Sequence, residues 1–387
     1  MPVEFKVFFD NEAADQEKLD KIDEIRVEQT VDRAWEARVK IPVCVNNDGK
    51  WDGENEAWMR DFSRVRVEVN MGDGAFAPLI DGPIVGFDSE RSPQPGKSVV
   101  TLIVHDDSAF LNRQAGVECY ENSTDSEIAR QIFGEATELS GTPDIEDTPA
   151  QPNTTTSVTV RRGTKMQFLR ELARRNQNWH AYVLPGSSPG QSIGAFRKFP
   201  TDTDGLPPML LLGADRNIAA FNVRNNAQNP CSVTAATMNI NDKTLTTSTS
   251  SFRNSTLIGD QSATLDTAPE ATCILPPGIN DSVDLASATG GRADDSSFSL
   301  EATGSVVPFC YPAALSPYRM VLVKISNSQY STKYLITQVT HTLTRSNYTQ
   351  SFSMKGNAVS AAESGSAAAP SPSAGFNASF NIQMSIF

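Results

Sequence analysis

Apolar and polar side chains alternate with period two in several separate stretches of the chain. Ile25 and Val27, then Ala37, Val39, Ile41 and Val43 around Arg38 and Lys40, then Val65, Val67 and Val69 against Arg66 and Glu68, each predict a strand with one buried and one wetted face. A further pair, Leu79 to Phe87 and Val99 to Val104, is separated by Arg91-Ser92-Pro93-Gln94-Pro95-Gly96, whose prolines and glycine favour a turn. Residues 1–118 therefore predict a meander closing towards a barrel or sandwich.

The period changes near residue 119. Thr124 and Glu127 have capping-box spacing, and Ile128, Ile132, Phe133, Ala136 and Leu139 follow at helical intervals as far as Gly141. After a loop rich in Pro, Thr and Asp, and the strand-like Val158-Thr159-Val160, Thr164 and Gln167 repeat that spacing ahead of Phe168, Leu169, Leu172 and Ala173. Trp179 to Leu184 reads as a strand. β patterning returns at Met209 to Leu212, Ala219 to Val223 and Ser232 to Ile240, and sharpens from Met320 through Leu335 to Leu343 and Tyr348 to Met354. Between them, residues 241–300 are mostly Ser, Thr, Asp and Gly and predict long surface loops.

These patterns predict a mainly β protein with a small α+β insert. The expected division is a first β domain from 1–118 plus about 190–235, an insert with two helices at 119–189, and a second β domain at 236–359. Ser360 to Gly375, dominated by Ala, Ser, Gly and Pro, predicts a flexible linker. Phe376, Ala378, Phe380, Ile382, Met384 and Ile386 then alternate with Asn377, Ser379, Asn381, Gln383 and Ser385, the pattern of a single tethered strand. Such a strand either pairs within its own domain or adds to a partner. The long linker favours a partner, with Phe376, Phe380, Ile382, Met384 and Ile386 as the binding side chains.

Composition narrows the function classes. Hydrophobic residues make up 39% and charged residues 20%, and the formal charge is −13 with a pI near 4.8. That charge disfavours a surface that neutralises nucleic-acid phosphates, and an acidic wall would keep nucleic acid in transit from sticking. No apolar run approaches the roughly 20 residues needed to span a bilayer, and Met1 to Asp10 lacks the order of a signal peptide, so a cytosol-like compartment and no membrane contact are expected. The five cysteines, Cys44, Cys119, Cys231, Cys273 and Cys310, are far apart and indicate neither a disulfide framework nor a zinc site.

Candidate chemistry is sparse. None of His105, His180 and His341 has metal-ligand spacing, and His105-Asp106-Asp107 is expected to be a set of solvated polar groups at a strand end. Gly82-Pro83-Ile84-Val85-Gly86 fits a turn or bulge better than a phosphate loop. Arg170, Glu171, Arg174 and Arg175 predict a solvated helix face with local ion pairs. No catalytic residue, cofactor or metal is therefore expected.

Two segments resemble the late control protein D family of contractile phages, whose fold is shared with the myophage baseplate hub and the N-terminal part of VgrG spike proteins. One is Val160 to Arg175, with its capped helix and the strand Trp179 to Val183 after it. The other is the strand pair Tyr334 to Leu343 and Tyr348 to Phe352, with His341 after the core of its first strand. The order of the remaining elements, including Pro78 to Ile84, is similar over about residues 3–357. The resemblance implies two tube-like β-barrel domains per chain and a homotrimer presenting six such domains to a tail tube. His341 is then a structural strand residue.

The resemblance further implies a non-enzymatic baseplate hub, assembled in a bacterial host cytoplasm and placed in the tail of the particle. Its expected partners are a tail tube protein, a separate spike protein and other baseplate proteins. A separate spike is expected because the sequence carries no β-helical region after the second β domain. The alternatives are a tail-associated peptidoglycan hydrolase, for which no acid/base constellation stands out, and a carbohydrate-binding or adhesin module. The loops at 241–300 suggest the latter, but only Phe252 and Phe298 lie there as aromatics.

Overall fold

The alternating stretches of the first third form antiparallel strands because each can bury one apolar row: β1 (Glu4–Phe9), β2 (Glu24–Thr30), β3 (Glu36–Pro42), β4 (Arg64–Asn70), β5 (Phe76–Glu90) and β6 (Val99–His105). The computed structural model describes residues 4–361 apart from 53–55, 73, 95, 149–157, 177–178, 204, 239–242, 266–269 and 276–284. The spatial order is β2-β3-β6-β5-β4-β1. β5 serves two partners, pairing β4 through residues 76–83 and β6 through residues 84–90, with a register shift between Ile84 and Gly86. Gly82 sits against the His105 carbonyl, where a Cβ would stand 2.0 Å from the oxygen. The 82–86 segment is thus a bulged bend inside one strand, and only glycine fits at its closest approach.

β4 departs from its predicted pattern. Arg66 and Glu68, expected on a wetted face, are buried, and so are Val65, Val67 and Val69 on the other face. The reason is the insert, which covers this side of the strand.

The main elements of the insert are β7 (Ala115–Glu121), α1 (Asp125–Glu135), β8 (Val158–Thr164), α2 (Lys165–Arg174), β9 (Trp179–Pro185) and β10 (Ser192–Lys198). Both predicted capping boxes are present: Thr124 with Glu127 and Thr164 with Gln167 exchange side-chain and backbone hydrogen bonds at the helix starts. Ile128, Ile132 and Phe133 of α1 and Phe168, Leu169 and Leu172 of α2 share a core with Trp179, Val183 and Phe196. The solvated charged face expected of α2 holds for Glu171 and Arg174 only. Arg175 is buried and donates through Nε to Asp125 at 2.7 Å, because the helix end turns under α1.

The main elements of the remainder are β11 (Ile218–Asn225), β12 (Cys231–Met238), β13 (Leu245–Ser250), β14 (Ala271–Ile274), α3 (Leu285–Ser297), β15 (Leu300–Val306), β16 (Met320–Lys324), β17 (Lys333–Thr344) and β18 (Tyr348–Gly356). Residues 241–300 are not simply surface loops: β13, β14 and β12 form a small sheet on which α3 packs. Ala288 and Ala293 of α3 meet Val233 and Ala235, and Thr289 Oγ1 lies 3.0 Å from the hydroxyls of Ser248 and Ser250. Small side chains make this contact, so no strong apolar period marks it.

Across the chain, β17 hydrogen-bonds to β2 from Gln338–Thr30 to Thr344–Glu24. The strands therefore run as one sheet in the order β11-β15-β18-β17-β2-β3-β6-β5-β4-β1. Two cores lie under it, one dominated by β1 to β6 and the other by Leu300, Val323, Tyr334, Ile336, Phe352 and Met354. The fold is mainly β with a small α+β insert, and its principal sheet is antiparallel.

A polar sheet face as the candidate functional surface

Since successive strand residues point to opposite faces, register decides which outward side chains line up across the sheet. One row runs Ala220, Ser305, Ser351, Thr340, Glu28, Glu36, His105. A second runs Thr349, Thr342, Arg26, Arg38, Ile103, and a third Thr344, Glu24, Lys40, Thr101, Asp88. On the other side of the first row stand Asn222, Thr303, Ser353, Gln338 and Thr30. All of these positions are exposed or half-buried. The face carries mainly hydroxyls and amides from β15 to β17, and mainly charges on β2 and β3.

Like charges stand opposite one another at Arg26–Arg38 and Glu28–Glu36, an arrangement that is destabilising in isolation. Neighbours offset it. Arg38 Nε lies 2.7 Å from Glu36 and its Nη1 3.7 Å from Asp88, Lys40 lies 2.8 Å from Glu24, and Arg26 lies 3.9 Å from Glu28. His105 Nε2 lies 3.4 Å from the second Glu36 oxygen. Burial works against the Glu36 charge, yet Arg38 and His105 outweigh it and hold the carboxyl below its ordinary range. The surface is thus ionic in detail and nearly neutral in sum, with its charges committed to one another.

Behind the rows, the seam between the two halves is polar. His341 Nδ1 lies 2.8 Å from the Tyr348 hydroxyl and Nε2 lies 3.4 Å from Gln29 Oε1, while Gln29 Nε2 donates to the Leu79 carbonyl at 2.7 Å. On the next strand, Gln350 accepts from Leu315 N at 2.8 Å and donates to the Ala313 carbonyl at 3.1 Å. Burial lowers the His341 pKa to about 3, so its ring is neutral near pH 7. It lies within the sheet seam and does not face the polar surface.

A second buried node ties the insert to β4 and β5. Arg66 donates to Glu68 at 2.7 Å, Asp81 at 3.0 Å, the Ser188 carbonyl at 3.1 Å and the Gly186 carbonyl at 2.8 Å. Asp81 also accepts from Arg64 Nε at 2.7 Å and Gly190 N at 2.9 Å. Neither Arg66 nor Asp81 was distinguishable as functional from sequence; the only signal was a charged pair inside a valine-rich strand.

His105-Asp106-Asp107 differs from its expected solvated state. Asp106 and Asp107 are buried: Asp106 accepts from Trp35 N at 2.6 Å and Ser108 N at 2.9 Å, and Asp107 accepts from Arg64. Burial pushes the Asp107 carboxyl up to about 6 despite Arg64. These groups are structural acceptors, and the three side chains do not converge. No group of three or more His, Cys, Asp or Glu side chains suited to a metal occurs among the described residues. The predicted partner-binding positions Phe376, Phe380, Ile382, Met384 and Ile386 lie outside the described residues.

No family profile and no curated protein matches the chain. Solved structures do. A tail protein from Neisseria meningitidis aligns with a TM-score of 0.60 at 12% identity, covering 92% of this chain and 97% of its own. The 43 kDa tail protein of prophage MuSo2 from Shewanella oneidensis aligns with a TM-score of 0.60 at 13% identity, covering 91% and 98%. The E. coli c3393 protein, a component of the type VI secretion system with structural similarity to T4 bacteriophage tail proteins gp27 and gp5, gives 0.53 at 10% identity over 92% and 77%. At such identities the likeness is one of fold: this chain has the fold of phage tail proteins and of a related secretion-system component.

Proposed function

We propose that the chain is a structural hub subunit of a phage-type tail or contractile injection machine. Three copies form a ring that joins the tail tube to a spike protein and contacts other baseplate proteins, while genome or cargo passes through its centre. The observation that carries this reading is the polar face running unbroken across both halves of the chain, on a fold shared with tail proteins. A conduit wall needs a surface that binds nothing in transit. Rows of hydroxyls and mutually paired charges on a protein of net charge −13 meet that need.

On this reading, Phe376, Phe380, Ile382, Met384 and Ile386 add a strand to the spike protein or to a neighbouring subunit. Their alternation and the Ala-, Ser-, Gly- and Pro-rich stretch before them support that role. Deletion of residues 376–387 should then leave the ring intact and lose recovery of a partner in a pull-down; undiminished recovery of both tube and spike would defeat the tail's assignment.

Labelling tests the lumen. Thr340→Cys and Ser351→Cys variants, assembled with tube and spike proteins, should react at those sites with a small maleimide and resist one linked to a bulky polymer. Equal reaction with both reagents in the assembled complex would contradict the assignment.

A further inference from the structure

Cys231 and Cys273 are remote in sequence but adjacent in the small sheet. β12 and β14 run parallel, with Cys231 opposite Ala271 and Val233 opposite Cys273. The two cysteines therefore leave the same face as diagonal neighbours, a relation that places them about 7–8 Å apart, so a bond between them draws β14 towards β12. Their environments differ. Cys231 is buried, and its backbone is pinned by Ser296, whose Oγ accepts from Cys231 N at 3.2 Å and donates to Cys231 O at 3.1 Å. Cys273 is exposed on the wall of a cleft of about 570 Å³ that Trp179, His180, Ile274 and Arg292 also line.

This is an accessible thiol backed by an inner one held in place. β14 is held weakly: it has four residues, all exposed, and among the described residues β12 is its one strand partner. A covalent link to β12 would fix it.

We propose that Cys231 and Cys273 form a modification site that closes to a disulfide on reaction with low-molecular-weight disulfides, stapling β14 to β12. Cys273, as thiolate, attacks the small disulfide, forming a mixed disulfide and releasing one small thiol. The Cys231 thiolate then attacks the Cys273 sulfur, forms the protein disulfide and expels the second small thiol. The protein loses two hydrogens and the small disulfide is reduced to two thiols. Burial, and after it the neighbouring Cys273, raise the Cys231 thiol above its ordinary range, so closure quickens as pH rises.

The full chain with Cys44→Ser, Cys119→Ser and Cys310→Ser isolates the pair. Incubated folded with oxidised glutathione, alkylated and mapped by mass spectrometry, it should lose two hydrogens and yield a peptide linking Cys231 to Cys273. Adding Cys231→Ser should leave a persistent glutathione adduct on Cys273. A stable adduct on Cys273 while Cys231 remains unchanged, or no reaction at Cys273, would overturn the proposal.

Discussion

His341 Nδ1 stands 2.8 Å from the Tyr348 hydroxyl, and its Nε2 faces Gln29 at 3.4 Å, across the seam where β17 meets β2. The ring joins the two halves of the sheet from within. His341→Ala would leave a cavity and unpair the Tyr348 hydroxyl in a dry site. We expect a loss of about 2–4 kcal/mol, read as a lower urea midpoint.

The same residue sets a pH dependence. Its folded pKa, lowered from 6.5 to about 3 by burial, means that between those values the unfolded chain binds a proton the folded chain does not. Stability therefore falls as pH falls through that window, by up to about 1.4 kcal/mol per pH unit. Asp107 opposes this. Burial raises its folded pKa from 3.8 to about 6, so its contribution is present at low pH and is lost as pH rises through about 6. The His341→Gln variant separates the two: its stability should fall less than the wild type's between about pH 6.5 and about pH 4. An identical decline in both proteins would show that His341 does not titrate as described.

Arg66 connects β4 and β5 to the insert by four hydrogen bonds, two of them to carbonyls in the 186–190 turn. Arg66→Met removes these bonds and leaves Glu68 without its arginine partner. The expected cost is about 3–5 kcal/mol. Hydrogen exchange should accelerate across residues 179–198, where the insert docks, more than in β17 and β18.

The polar face should accept substitution without unfolding, since its side chains are exposed. Ser305→Lys, Ser351→Lys and Thr340→Lys together place three positive charges on adjacent strands in one row. Each should change stability by no more than about 1 kcal/mol. The assembled variant should retain DNA at low salt and release it as salt rises, whereas the wild-type assembly should not retain it.

The elements most legible in the sequence were those whose signal is local. Alternation at Ala37, Val39 and Ile41 marks a strand, and Thr164 with Gln167 marks a helix start, because both depend on near neighbours. What escaped reading depends on distant partners. Arg66 and Glu68 are charged at positions that solvate well in an isolated hairpin, and only the insert makes them buried. Arg175 is similarly taken under α1 by Asp125. α3 packs through Ala288, Thr289 and Ala293, side chains too small to print an apolar stripe. The polar face required the β17–β2 register, which pairs Gln338 with Thr30 and is set by tertiary packing.

On the proposed function, three copies of this chain close into a ring. Light scattering coupled to size exclusion, on the chain alone and with its spike protein, tests it most directly. A trimer of the 41.9 kDa chain has a mass of about 126 kDa. That mass is expected for the chain alone, or three copies of the chain in the spike complex. A species that stays at 41.9 kDa alone, and is recovered as a monomer beside the spike, would contradict it.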